Sequence, residues 1–126
     1  MKSTLLFAIA AGGALGALGR HWVSGAALRV MGPGFPWGTL TVNVVGSFVM
    51  GVFIAVLAAH ATSQALRAFL TVGLLGAFTT FSTFSLDIVF LAERKEFGAA
   101  LTYGAASVTL SIGALLAGLA LARSLS

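Results

Sequence analysis

Apolar residues run along this chain in four long blocks, separated by short stretches of Pro, Gly or charge. Each block is close to the ~20 residues that an α-helix needs to cross a bilayer. The pattern therefore predicts four transmembrane helices, over about 4–30, 38–59, 65–91 and 97–122. The first is apolar from Thr4 to Gly19 and continues as an amphipathic stretch to Val30. Gly32-Pro33-Gly34-Phe35-Pro36 forms the turn that ends it, because such a density of Gly and Pro does not propagate a helix. Thr39 is placed to cap the second helix. Trp22 and Trp37 flank this connection, as indoles do at a membrane interface. Glu93-Arg94-Lys95-Glu96 is a charged loop between the third and fourth blocks. The chain reads as a single all-α integral membrane domain without internal repeats.

One interruption of the apolar pattern stands out. Gly76-Ala77-Phe78-Thr79-Thr80-Phe81-Ser82-Thr83-Phe84-Ser85 places five hydroxyls and three Phe rings inside the third block. A continuous helix from Ala65 to Leu91 would be about 40 Å long at ~1.5 Å per residue, beyond the ~30 Å hydrocarbon core. A break between Gly76 and Phe81 accounts for both the length and the composition. It would free backbone carbonyls that can hold a cation at mid-membrane. The alternative is an intact helix whose Ser and Thr bond back to carbonyls four residues earlier.

Other polar residues fall on helix faces. Asn43 shares a face with Thr39 in the second span and serves either as glue between helices or as a ligand for an ion. Tyr103, Ser107 and Ser111 recur every fourth position in the fourth span, which aligns them in one stripe. The stripe is either a path or the ordinary tolerance of membrane helices for hydroxyls. Phe81 and Phe84 share a face; their rings carry positive edges that can meet an anion, though such a pair is ordinarily packing. Arg20 either snorkels to the interface or sits in a vestibule and attracts anions. Asp87 falls near an aqueous mouth, where it can bond a polar neighbour. His21 and His60 lie at membrane edges and are read as solvated. Gly12 with Gly16, and Ser47 with Gly51, are small-xxx-small pairs of the kind that bring helices together, and they are read as supporting assembly.

Composition sharpens this picture. Only 8% of residues are charged, at a mean hydropathy of +1.06, against about a quarter charged in soluble domains. The net charge of +4 therefore bears on topology. No basic cluster exceeds Arg94-Lys95, too little for a nucleic-acid surface. The chain has no Cys, which excludes disulfides and thiolate metal sites. Lys2 and the apolar run after it imitate a secretory signal, but the remainder is equally apolar and the segment reads as the first span. With four spans, one face carries Lys2, Arg67 and Arg123 and the other Arg20, Arg29, Arg94 and Lys95. Three against four gives almost no orienting bias, which leaves insertion in both directions open and with it an antiparallel pair of chains. No nucleophile with a base, no embedded carboxylate pair and no metal-ligand spacing appears, so an enzyme is not expected.

These residues together resemble the Fluc (CrcB-like) fluoride channels over essentially the whole chain. The matching pieces are Gly12-Gly13, Gly16 and Arg20; Gly38-Thr39-Leu40, Asn43 and Gly46; Thr79-Thr80-Phe81-Ser82-Thr83-Phe84-Ser85; and Tyr103, Ser107 and Ser111. The resemblance implies a passive fluoride channel of the bacterial plasma membrane that relieves fluoride toxicity. It also implies an antiparallel, dual-topology homodimer with two pores and a broken third helix. Phe81, Phe84, Asn43, Ser82, Thr83, Tyr103, Ser107 and Ser111 would then line the pores, and Arg20 the vestibule. The carbonyls of Gly76 and Thr79 would hold a central structural Na+. Ala77-Phe78 departs from the Gly-Leu common in close relatives. The competing reading is a small multidrug-type, proton-coupled exporter, which needs a carboxylate in the first span; this chain has none there.

Overall fold

A computed structural model describes residues 2–125. The chain is helical throughout: α1 (Lys2–Met31), α2 (Trp37–Ala59), α3 (Gln64–Arg67), a π-helical stretch (Ala68–Leu75), α4 (Gly76–Phe78), α5 (Phe81–Glu93) and α6 (Phe97–Ser124). Lys2–Met31, Trp37–Ala59, Gln64–Glu93 and Phe97–Ser124 are each long and apolar enough to cross a membrane. Large apolar side chains such as Leu6, Phe7, Leu18, Val30, Leu101 and Leu116 stand exposed along them. A lipid-facing surface has that character, because lipid replaces water as solvent for those side chains.

The turns follow local chemistry. Gly32 adopts φ +89, where a side chain would be strained. Its amide donates to the Leu28 carbonyl at 2.7 Å and so closes the end of α1. Pro36 stands at the N-cap of α2 without a side-chain cap, so the expected capping role of Thr39 is not realised. The helix starts earlier, at Trp37, and Thr39 lies inside it, buried. Ser63 caps α3, its hydroxyl accepting from the Leu66 amide at 3.1 Å. Arg67 reaches back across this loop and donates to the Leu57 carbonyl at 2.7 Å, satisfying a carbonyl near the C-terminal end of α2.

Glycine sets how closely the helices approach. A Cβ at Gly12 would collide with the Phe69 carbonyl, and one at Gly16 with the Leu74 carbonyl. Likewise, a Cβ on Gly51 would strike the Leu115 carbonyl, and one on Gly118 the Phe48 carbonyl. Thus α1 lies backbone to backbone on the π-helical stretch, and α2 on α6. Gly12, Gly16 and Gly51, read from sequence as assembly positions, therefore pack within one chain. Their spacing is the same for either use, so the sequence alone does not separate the two. Gly13, one residue along from Gly12, has nothing within 4 Å of a built Cβ. We expect Gly16→Ala to lower the melting temperature in detergent, by overpacking worth about 1–3 kcal/mol. Gly13→Ala should raise it, by up to about 1 kcal/mol of helix propensity. Equal shifts in the two variants would contradict this packing.

Candidate functional site

The third span changes course at Thr79 and Thr80. Both take extended backbone angles, φ −87, ψ 159 for Thr79 and φ −151, ψ 125 for Thr80. Before them the Ala68–Leu75 stretch is π-helical, a departure often found at functional sites. After them α5 starts afresh, with the Thr80 hydroxyl capping the Thr83 amide at 3.2 Å.

Asn43 holds this break. Its Oδ1 accepts from the Thr80 amide at 2.8 Å, and its Nδ2 donates to the Thr80 carbonyl at 2.9 Å. The pair fixes the orientation of the amide, since a flipped Asn would set donor against donor and oxygen against oxygen. It also hides the acceptor of Asn43 while using only one of two Nδ2 hydrogens. Gly46, one helical turn on, is the reason the break can lie against α2, because a Cβ there would strike the Thr79 methyl group. Arg20 Nε donates to the Ala77 carbonyl at 3.0 Å. The guanidinium is therefore tethered to the break. Thr79 Oγ1 bonds back to the Leu75 carbonyl at 3.0 Å and Ser85 Oγ to the Phe81 carbonyl at 3.0 Å. Back-bonding thus accounts for these two hydroxyls even though the helix is interrupted.

Two cavities meet at this place. The inner one, about 410 Å³, is walled among others by Asn43, Thr79, Phe81, Phe84, Ser107 and Ser111. Among the described residues, no charged side chain lines it. The Phe81 and Phe84 rings lie 5.5 Å apart at 43°, and Phe81 is 78% exposed in the single chain. The Ser107 and Ser111 hydroxyls are buried, and among the described residues neither has a hydrogen-bond partner. Both forgo the back-bond that helical Ser commonly makes, so their donors remain for whatever enters. The outer cavity, about 360 Å³, contains Arg20, His21, Ser24, Thr39, Thr80 and Thr83 in its wall.

Thr80 lines both cavities. It is absent from the sequence-derived set, although it sits within the hydroxyl-rich motif. Its neighbours in sequence carry the same chemistry, and only the three-dimensional course of the break separates it from them. Thr39 also reaches the outer cavity, and its shared face with Asn43 was a usable signal. Ser82 lines neither cavity; its hydroxyl lies 3.3 Å from that of Thr80. Gly76 is exposed and lines neither. Tyr103 is fully buried outside both, its hydroxyl donating to Asp87 Oδ2 at 2.9 Å.

Known proteins are similar to this chain over nearly its whole length. Three relatives each bear the name "Fluoride-specific ion channel FluC". That of Caulobacter vibrioides is 52% identical over 120 residues, covering 94% of both chains. That of Rhodospirillum centenum is 54% identical over 121 residues, covering 94% of this chain and 95% of its own. The Rhizobium etli protein is 54% identical over 121 residues, at 95% and 97% coverage. Residues 7–119 match the family described as CrcB-like protein, Camphor Resistance (CrcB). With four helices of spanning length, and relatives about half identical over nearly the whole chain, this is a multi-pass membrane protein that belongs to the CrcB-like family.

Proposed function

We propose that this protein is a passive, fluoride-selective channel of the bacterial plasma membrane, one that lets cytoplasmic fluoride leave down its gradient. The names of its relatives point to fluoride, and the observation that carries the reading here is the Asn43–Thr80 pair. By accepting from the Thr80 amide, Asn43 removes its own oxygen from the path and keeps a spare N–H. Around it stand unpartnered Ser hydroxyls and aromatic rings, with no fixed charge in the inner cavity. Stripping a small anion of water costs on the order of tens of kcal/mol in an apolar medium, and neutral donors of this kind can replace that water piecemeal. A full positive charge in the inner cavity would hold the ion too firmly, because conduction requires release as well as binding. Arg20 supplies charge in the outer cavity, where attraction of anions assists entry.

The functional unit in this reading is an antiparallel homodimer with two pores. The balanced positive charges permit both insertions, and a partner would cover the exposed Phe81 side of the inner cavity. A structural Na+ fits the break. In an unbroken helix the Thr80 and Thr83 amides would meet the carbonyls of Gly76 and Thr79. Here they donate to Asn43 Oδ1 and Thr80 Oγ1, which leaves those two carbonyls without their helical donors. Hard cations take oxygen ligands of this type. When bound, the ion would supply a positive charge joining the two broken helices at the centre of the dimer.

The test is fluoride efflux from liposomes containing the purified protein, followed with an ion-selective electrode and repeated with chloride. Rapid, potential-driven fluoride efflux without chloride efflux is expected. Absence of fluoride efflux from folded protein would overturn the channel reading.

A further inference from the structure

Tyr103 is the largest of the fully buried side chains, yet it lines neither cavity. Its position is defined on three sides. The hydroxyl donates to Asp87 Oδ2 at 2.9 Å. Phe35, from the turn between α1 and α2, meets the ring edge-on at a centroid distance of 5.5 Å and 87°. Phe84, which does line the inner cavity, lies 5.1 Å from it at 47°. Leu40 and Leu91 complete the packing around these rings.

Asp87 poses its own question. An ionisable group within a membrane span is costly and calls for a named partner and a use. A carboxylate is also an unexpected neighbour for an anion route, and Asp87 belongs to the wall of neither cavity. What its geometry does is engage the one proton of the Tyr103 hydroxyl. The phenol is thereby pinned in rotation and has no proton left for an anion. The ring it pins is the surface on which Phe84 rests.

We propose that Asp87 and Phe35 are positioning residues that clamp Tyr103, and that Tyr103 in turn sets the tilt of the Phe84 ring at the inner cavity. This rests on the channel reading and deepens it, giving Tyr103 the work of a buttress instead of that of an anion ligand. The aromatic series Trp37, Phe35, Tyr103, Phe84, Phe81, with centroid steps of 4.7, 5.5, 5.1 and 5.5 Å, ties the α1–α2 turn to the ion path.

The experiment compares fluoride and chloride efflux from liposomes for the wild type, Asp87→Asn, Asp87→Leu, Tyr103→Phe, Phe35→Ala and the double variant Asp87→Leu/Tyr103→Phe. Asp87→Asn keeps an acceptor oxygen for the phenol and should retain fluoride efflux within about threefold, since a neutral hydrogen bond still orients the ring. Asp87→Leu, Tyr103→Phe and Phe35→Ala should each slow fluoride efflux roughly tenfold and raise chloride efflux relative to it, a change in selectivity that a mere loss of folded protein does not produce. The double variant should be no worse than the more severe single one, because both remove the same bond. Wild-type rate and selectivity in Tyr103→Phe, or losses that multiply in the double variant, would overturn the clamp. If Asp87→Leu fails to fold, as judged by size-exclusion chromatography, Tyr103→Phe and Phe35→Ala decide the matter. A silent wild type overturns the channel reading and the clamp together, whereas a conducting wild type with unaffected variants overturns the clamp alone.

Discussion

Asn43→Asp is expected to abolish measurable fluoride efflux while leaving a protein that still folds. One carboxylate oxygen can continue to accept from the Thr80 amide, as Oδ1 does now at 2.8 Å. The other replaces Nδ2 and faces the Thr80 carbonyl, to which Nδ2 now donates at 2.9 Å. A favourable contact becomes a repulsion, and a negative charge enters a cavity wall that has none. Leaving the carbonyl unpaired costs about 1–3 kcal/mol, which lowers the melting temperature without eliminating the fold. The anion meets a larger penalty. A repulsion of about 3 kcal/mol in the limiting step slows passage roughly a hundredfold, and like charges at ~4 Å exceed that value when the effective dielectric constant is near 20. Electrode traces from liposomes and a melt in detergent check the two parts separately. Efflux near wild type from Asn43→Asp would show that the spare N–H of Asn43 does not meet the ion.

Phe81→Ile should slow conduction without the loss of stability expected of Asn43→Asp. Because the ring is 78% exposed in the single chain, its replacement should leave the melting temperature of the monomeric fold almost unchanged, within the ±0.5 kcal/mol typical of surface changes. Isoleucine keeps apolar bulk but has no positive ring edge. An edge contact worth about 1.5 kcal/mol corresponds to roughly a tenfold loss of rate. Fluoride efflux should fall by that factor or more, while the helix content of each chain by circular dichroism should stay close to wild type. A variant that melts early and conducts normally would reverse the assignment and make Phe81 a packing residue.

Much of this architecture can be read from the chain because lipid makes severe demands. Four apolar blocks, a Gly-Pro turn and a charged loop identify the helices, since few other arrangements satisfy the backbone in a bilayer. The break is legible for a related reason: its hydroxyls would be out of place on a continuous lipid-facing helix. Other features leave no such mark. The π-helical Ala68–Leu75 stretch has the composition of any membrane helix. The contacts of Gly12, Gly16 and Gly51 depend on which backbone lies opposite, and spacing is silent on that. Thr39 resembles a helix cap by type and position, but Pro36 starts α2 ahead of it. Within the site, Asn43, Phe81, Phe84, Ser107 and Ser111 come together on one cavity, whereas the periodic stripe alone does not reveal that Tyr103 leaves it. A stripe at every fourth residue drifts around a helix, and the bond to Asp87 turns the phenol toward α5.

In the channel reading, the Thr80 wall common to both cavities would set them in series, like two resistances. An anion beside Arg20 would meet a fixed charge, whose reach in solution is screened over about 8 Å at physiological ionic strength. An anion in the inner cavity would face neutral side chains of this chain. Dissolved salt would then act on the first resistance and hardly on the second, and Thr80 would mark where control passes from solution to protein.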